Sequence, residues 1–241
     1  MEEVSVMKVR IKFSKEGPVK FVGHLDTMRY FQKAVRRAAL PAAFSGGYSP
    51  HMIMSFASPL GVGVESEGEY FDLELSEDLP TEEIRQRLDK VMAEGVHVTG
   101  VRKVADGKAG NAMSLVAAAD YRVWFRNGTG PCEDWEDKIV PFMGQEEILI
   151  TKTTKSGEKQ VNIRPYIYEM RLEGDNIFCR LASASANYTR PDTVTDAFLD
   201  FLKVQMPAFS YQIRRLEVYA DLGTEEKHRF VPLLELGETV A

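Results

Sequence analysis

His24 and Asp26 stand two residues apart, immediately ahead of Arg29, Lys33, Arg36 and Arg37. A histidine titrates near neutrality and can move protons, while arginines offer planar forks suited to phosphate or carboxylate. An i, i+2 spacing puts His24 and Asp26 on different sides of a helix, so they do not make a catalytic dyad. Helix capping and ligand contact both remain open for this pair, Asp26 being favourable in a first helical turn. The four cations that follow are either a solvated basic face or an anion-binding one. Downstream, Ser45, Gly46, Gly47, Tyr48 and His51 form a turn-rich segment. Its glycines free backbone N–H groups to meet an anion, and its aromatic rings could stack on a base; ordinary turn geometry explains the same glycines. Neither this segment nor residues 61–68 (GVGVESEG) carries a P-loop or dinucleotide fingerprint. Lys152, Lys155, Lys159 and Arg164 surround a Ser-Gly hairpin in the second half, most simply a solvated one, and Arg190 precedes Pro191. The sequence holds two cysteines, Cys132 and Cys179, which are not spaced as metal ligands. No catalytic residue, metal site or cofactor is assigned to the chain.

The elements that must position these residues follow from hydrophobic period. Residues 6–14 alternate, Val9, Ile11 and Phe13 against Lys8, Arg10 and Lys12, which predicts a half-buried strand with an exposed cationic row. A helical period runs from His24 to Leu40 through Leu25, Met28, Phe31, Val35 and Ala38. Strands are expected near 51–57 and over 69–76, the latter with Tyr70, Asp72 and Glu74 on its polar side. The first and third strands should be neighbours, so this polar row would salt-bridge to the cationic one. A helix from Thr81, its N-cap, to Glu94 is stopped by Gly95, and residues 96–104 give a fourth strand. The order is β-α-β-β-α-β.

The second half repeats the scheme less cleanly. It has strands near 120–126, 147–154, 159–167, 176–182 and 211–220, and helices near 133–143 and 191–204. One strand is in excess. The expected fold is therefore α+β: two tandem ferredoxin-like (βαββαβ) units with antiparallel sheets. They would occupy residues 1–104 and 118–222, joined by a small, polar linker at 105–117 and followed by a C-terminal tail at 223–241.

Across 241 residues, 44% hydrophobic and 27% charged composition marks an ordinary globular protein. No stretch reaches the roughly 20 apolar residues of a membrane span, and the acidic start Met1-Glu2-Glu3 lacks the apolar region of a secretory signal. A cytoplasmic location is expected. The net charge of −6 conceals a gradient: residues 1–56 hold nine Lys/Arg against four Asp/Glu, and residues 57–104 hold five against eleven. One face could therefore attract an anion although the whole is acidic. His97 and His228 receive no role.

Several of these residues carry a resemblance. Gly23-His24-Leu25-Asp26 with Arg29, Arg36-Arg37, Leu40-Pro41 and the Ser45–His51 segment look like the signature of a radical-SAM-associated bacterial domain family. Pro59-Leu60-Gly61, Ser66, Glu69, Lys152–Lys155, Gly157, Ile163-Arg164-Pro165 and Arg190-Pro191 continue the likeness. The resemblance implies an accessory, non-catalytic role beside a radical SAM protein in RNA or ribosome-related modification, with RNA as the second partner. Two cysteines cannot hold a four-iron cluster, which needs three in close spacing, so such chemistry would belong to the partner. Two alternatives stand beside RNA binding. A metal-independent endoribonuclease would use His24 on a tandem ferredoxin-like fold, although the C-terminal glycine-rich loop of such nucleases is missing here. A protein–protein adaptor would dock through the acidic 57–104 region.

Overall fold

The computed structural model describes residues 7–107, 110–126, 130–154 and 157–241; of the candidate residues, only Lys155 lies outside them. The chain forms two compact units, one of residues up to Ala117 together with Glu217–Ala241, the other of Ala118–Leu216. The architecture is α+β, and every strand pairing whose register is defined is antiparallel.

The first unit opens with β1 (Met7–Lys15), α1 (His24–Arg37), β2 (Met54–Ala57), β3 (Glu65–Leu75), α2 (Thr81–Asp89), β4 (Val96–Lys103) and the short α3 (Ala112–Leu115). Strand β1 lies between β4 and β3, and β2 pairs with β3. Val9, Ile11 and Phe13 are fully buried, as the alternation requires. They meet Phe31, Ala34 and Val35 from the apolar stripe of α1. Phe31 is the hub: its ring centroid lies 4.5 Å from Phe13 and 4.9 Å from Phe71, and Phe56 stacks on Phe71 at 5.0 Å. Burying each such ring contributes about 1.5–3 kcal/mol, and tilted aromatic pairs add about 0.5–1.5 kcal/mol. Gly95 turns the chain from α2 into β4 with φ +84°, and a Cβ there would come within 2.6 Å of the Glu16 carbonyl oxygen. No side chain with a β-carbon fits that turn.

The opposite face of this sheet departs from expectation. The register pairs Lys8 with Glu74, Arg10 with Asp72 and Lys12 with Tyr70, so the two rows face each other as expected. The cationic row is not exposed, however: Arg10 is 1% exposed, Lys8 7% and Asp72 2%. The cover comes from the segment around α3 and from the C-terminal residues. Arg10 Nη2 donates to the Gly110 carbonyl at 2.7 Å and Nη1 to the Leu233 carbonyl at 3.1 Å. Asp72 accepts two hydrogen bonds from Arg10 and one from the Ala112 N–H at 2.7 Å. Alternation reveals which residues share a face, but a cover supplied from 100 or more residues away leaves no local mark. Thr81 does not cap α2 either. It is buried, and its hydroxyl donates to the Val240 carbonyl at 3.2 Å, while Pro80 occupies the N-cap position.

The second unit contains most of β5 (Val116–Phe125), then α4 (Ile139–Met143), β6 (Leu149–Thr154), β7 (Gly157–Asn162), β8 (Ile167–Glu173), β9 (Asn176–Ala182) and α5 (Pro191–Leu202). Strand β10 (Tyr211–Asp221) starts in this unit and ends in the first, where β11 (Phe230–Pro232) pairs with it. Strands β5, β9 and β8 lie side by side, while β6 and β7 pair only with each other as a separate ribbon. The excess strand of the sequence reading is thus half of that ribbon, and Ile167–Glu173 is a further strand that the reading missed. The helix expected over 133–143 shrinks to a 3-10 turn and five α-helical residues; Pro141, inside those five, has no N–H to bond the carbonyl of residue 137, so regular α-helix does not extend back over 136–138. Inside this unit Asp120 takes a bidentate bond from Arg180 at 2.7 and 2.8 Å, and burial raises the pKa of the Tyr121 phenol.

Removing one partner of a buried charge pair leaves the other uncompensated and costs about 3–5 kcal/mol. Asp72→Ala is expected to destabilise the protein by that amount in urea unfolding, whereas a loss below about 1 kcal/mol would show the pair to be dispensable.

Candidate functional site

Helix α1 begins directly after Gly23, whose backbone carbonyl accepts from the Thr27 N–H and hydroxyl at 2.9 and 3.0 Å. Neither His24 nor Asp26 caps the helix. The His24 ring instead packs edge-on against Phe56 with centroids 5.5 Å apart. Asp26 pairs with Arg29 one turn along at 3.1 Å, and both are exposed. Arg37 lies over the Tyr30 ring and donates to the Val91 carbonyl at 3.2 Å. Lys33 and Arg36 are exposed and, among the described residues, have no carboxylate partner. The arginine helix is therefore partly neutralised at its start and cationic in its second half.

The segment after α1 is a closed loop. Ser45 and His51 bond reciprocally: the Ser45 N–H donates to the His51 carbonyl at 2.9 Å, and the His51 N–H donates to Ser45 Oγ at 3.1 Å. Ser45 Oγ also lies 2.8 Å from His51 Nδ1. Gly46 is exposed, and Gly47 turns the loop with φ +99°, a conformation that L side chains rarely adopt. Tyr48 stands fully exposed at the tip. Next to the start of α1 lie three exposed apolar side chains, Phe21 at 65%, Leu25 at 61% and Val62 at 62%. The Gly63 N–H bonds the Lys20 carbonyl at 2.9 Å, which brings residue 62 to the edge that carries Phe21.

Below the loop, the first unit holds a cleft of about 200 Å³ lined by Lys8, His51, Ser55, Asp72, Glu74 and Asn111, with Ile53 and Met54. The signal for Lys8 and Glu74 was present in the strand alternation; nothing in the sequence placed Asn111 or the cover of Arg10 with them. A wider, shallower depression near Gly17, Val19 and His97 lacks a buried charge.

In the second unit, Lys152 on β6 stands directly opposite Lys159 on β7, both exposed. Arg164 is tied down, donating to the Met143 carbonyl at 2.9 Å and the Ile167 carbonyl at 3.3 Å. Arg190 precedes α5 and pairs with Asp192. Most candidate residues therefore belong to the first unit: the α1 row, packed on one face of the sheet, and the Ser45–His51 loop, whose His51 lines the cleft on the other. His228, left without a role by its sequence neighbours, contacts Asp221 at 2.6 Å and stacks on Phe230. That carboxyl is held below the usual range: burial opposes its charge, but N–H donors of Arg229 and Gly223 and the His228 ring outweigh it.

Among the described residues no group of His, Cys, Asp and Glu is arranged to hold a metal ion, and no helix is long and apolar enough to cross a membrane. The chain belongs to a bacterial family described as "Uncharacterized protein conserved in bacteria (DUF2344)", whose sequence model matches residues 8–191. No protein with a curated description matches it.

The two thiols differ sharply. Burial, reinforced by the Asp120 and Glu169 charges, pushes Cys179 up to about 12, while Cys132 is exposed. A thiol reagent at neutral pH is expected to modify one cysteine quickly and the second only after unfolding, because the thiolate is the reacting form. Two fast thiols in the native protein would contradict this placement of Cys179.

Proposed function

We propose that this protein is a non-catalytic binding module that holds structured RNA through α1 and the Tyr48 loop, for a radical SAM partner that carries the chemistry. The observation that carries the reading is the exposed side of α1, where Lys33 and Arg36 have no carboxylate partner among the described residues, in the same unit as the fully exposed Tyr48. Cations that meet phosphates release counterions on binding, and an aromatic ring presented without neighbours is a stacking surface that tolerates any base. The bound Ser45–His51 loop holds its shape before a ligand arrives, which lowers the ordering cost of binding.

The strand order β4-β1-β3, with β2 on β3 and helices after β1 and β3, fits a ferredoxin-like first unit. The order β5-β9-β8 fits a second one interrupted by the β6–β7 ribbon. The radical SAM association rests on the motif resemblance, and a chain with two cysteines needs another molecule to hold a four-iron cluster. The protein–protein adaptor has an observation of its own: Phe21, Leu25 and Val62 give α1 an exposed apolar end suited to a protein surface. Leu25 shares α1 with Lys33 and Arg36, so both surfaces belong to the first unit. An endoribonuclease built on His24 is disfavoured, because that ring is packed against Phe56.

Fluorescence anisotropy with a labelled RNA hairpin tests the reading. Affinity is expected to fall with salt, and Lys33→Ala/Arg36→Ala to flatten the log–log salt slope by about two. Tyr48→Ala is expected to weaken binding by about 1–3 kcal/mol without changing that slope. Binding that is absent, or insensitive to salt, overturns RNA binding and leaves the adaptor.

A further inference from the structure

The cleft beneath the Ser45–His51 loop contains two opposite charges that do not satisfy each other. Lys8 and Glu74 face each other across β1 and β3, yet among the described residues they make no ion pair with one another or with a third residue within hydrogen-bonding distance. The nearest carboxylate to the Lys8 ammonium is Asp72, 3.9 Å away. The Asp72 oxygens are already engaged by Arg10 and by the Ala112 N–H. Arg10 is likewise engaged, its other hydrogen bonds going to the Gly110 and Leu233 carbonyls. The Lys8 side chain is 8% exposed, it lines the cleft, and among the described residues its ammonium has no acceptor within hydrogen-bonding distance. Burial of that kind is costly unless something supplies the missing bonds.

The other lining groups complete a recognisable pattern. Asn111 accepts the Met113 N–H through Oδ1 at 3.0 Å, which leaves its amide N–H groups to donate. His51, whose Nδ1 lies 2.8 Å from Ser45 Oγ, and Ser55 with its hydroxyl line the same cleft. Donors thus gather near Lys8, while Glu74 is the cleft's one carboxylate with no partner among the described residues. The volume of about 200 Å³ is far above the roughly 30 Å³ share of one water. We propose that this cleft binds a small zwitterion, its carboxylate on Lys8 and Asn111 and its ammonium on Glu74. This reading is independent of RNA binding on α1.

Calorimetric titration of the full chain with glycine, β-alanine and γ-aminobutyrate tests it, with acetate and methylammonium as one-ended controls. One zwitterion is expected to bind saturably at one site, about tenfold or more tighter than either control. Lys8→Met and Glu74→Gln are each expected to weaken it by about tenfold or more, while Tyr48→Ala leaves it unchanged. If Lys8→Met does not fold, as judged by circular dichroism, Glu74→Gln alone decides. Failure of all three zwitterions to bind, acetate binding as tightly as they do, or binding that survives Glu74→Gln each overturns the proposal.

Discussion

The buried pair of Arg10 and Asp72 is the constraint on which the first unit depends. Each charge is withdrawn from water, and every guanidinium nitrogen and both carboxylate oxygens have partners: the guanidinium in Asp72 and two carbonyls, the carboxylate in Arg10 and a backbone N–H. A pair of this kind is weak evidence for stability as a whole, since well-packed apolar residues can replace it at no loss. Its force lies in specificity. Only the Gly110 and Leu233 carbonyls and the Ala112 N–H complete it, so the sheet accepts one arrangement of the segment around α3 and of the C-terminal residues. An apolar second face would have let both slide.

That closure shapes what the surface can do. With Arg10 and Asp72 sealed, Lys8 is left at the edge of the covered face, and Asn111, fixed by the same segment, is brought against it. On the other face the Phe13–Phe31–Phe56–Phe71 cluster holds α1 by its apolar stripe and turns its cations outward. The helix can spend its polar side on a partner because its hold on the sheet does not need it. The description of the family to which the chain belongs names no activity, and these two surfaces are where the first unit can meet other molecules.

Much of this was legible in the sequence, for reasons that differ by element. The period-2 alternation of residues 7–13 and 70–75 showed which residues share a face, because a slip of one residue would move every Phe and Val to the wrong face, while the βαββαβ order made the two strands neighbours. The stripe of α1 was equally plain. What failed were inferences about exposure: the same alternation is produced whether the polar face meets water or a covering chain. The Ser45–His51 loop was recognisable by its glycines, but its closure by side-chain and backbone bonds was not. In the second unit, Ile167–Glu173 escaped notice because residues 163–167 turn through a short 3-10 segment that blurs its start. Thr81 looked like a cap by type and position, and a distant carbonyl took its hydroxyl instead.

The claim that Asp72 organises the cover of the sheet is tested most directly by native-state amide hydrogen exchange at Ala112. That N–H sits in a four-residue helix that would otherwise fray. It is expected to be strongly protected in the native protein, and to exchange much faster in Asp72→Asn, while the amides of β1 facing β4 stay protected. Rapid exchange at Ala112 in the unsubstituted protein, or protection unchanged by Asp72→Asn, would contradict the account.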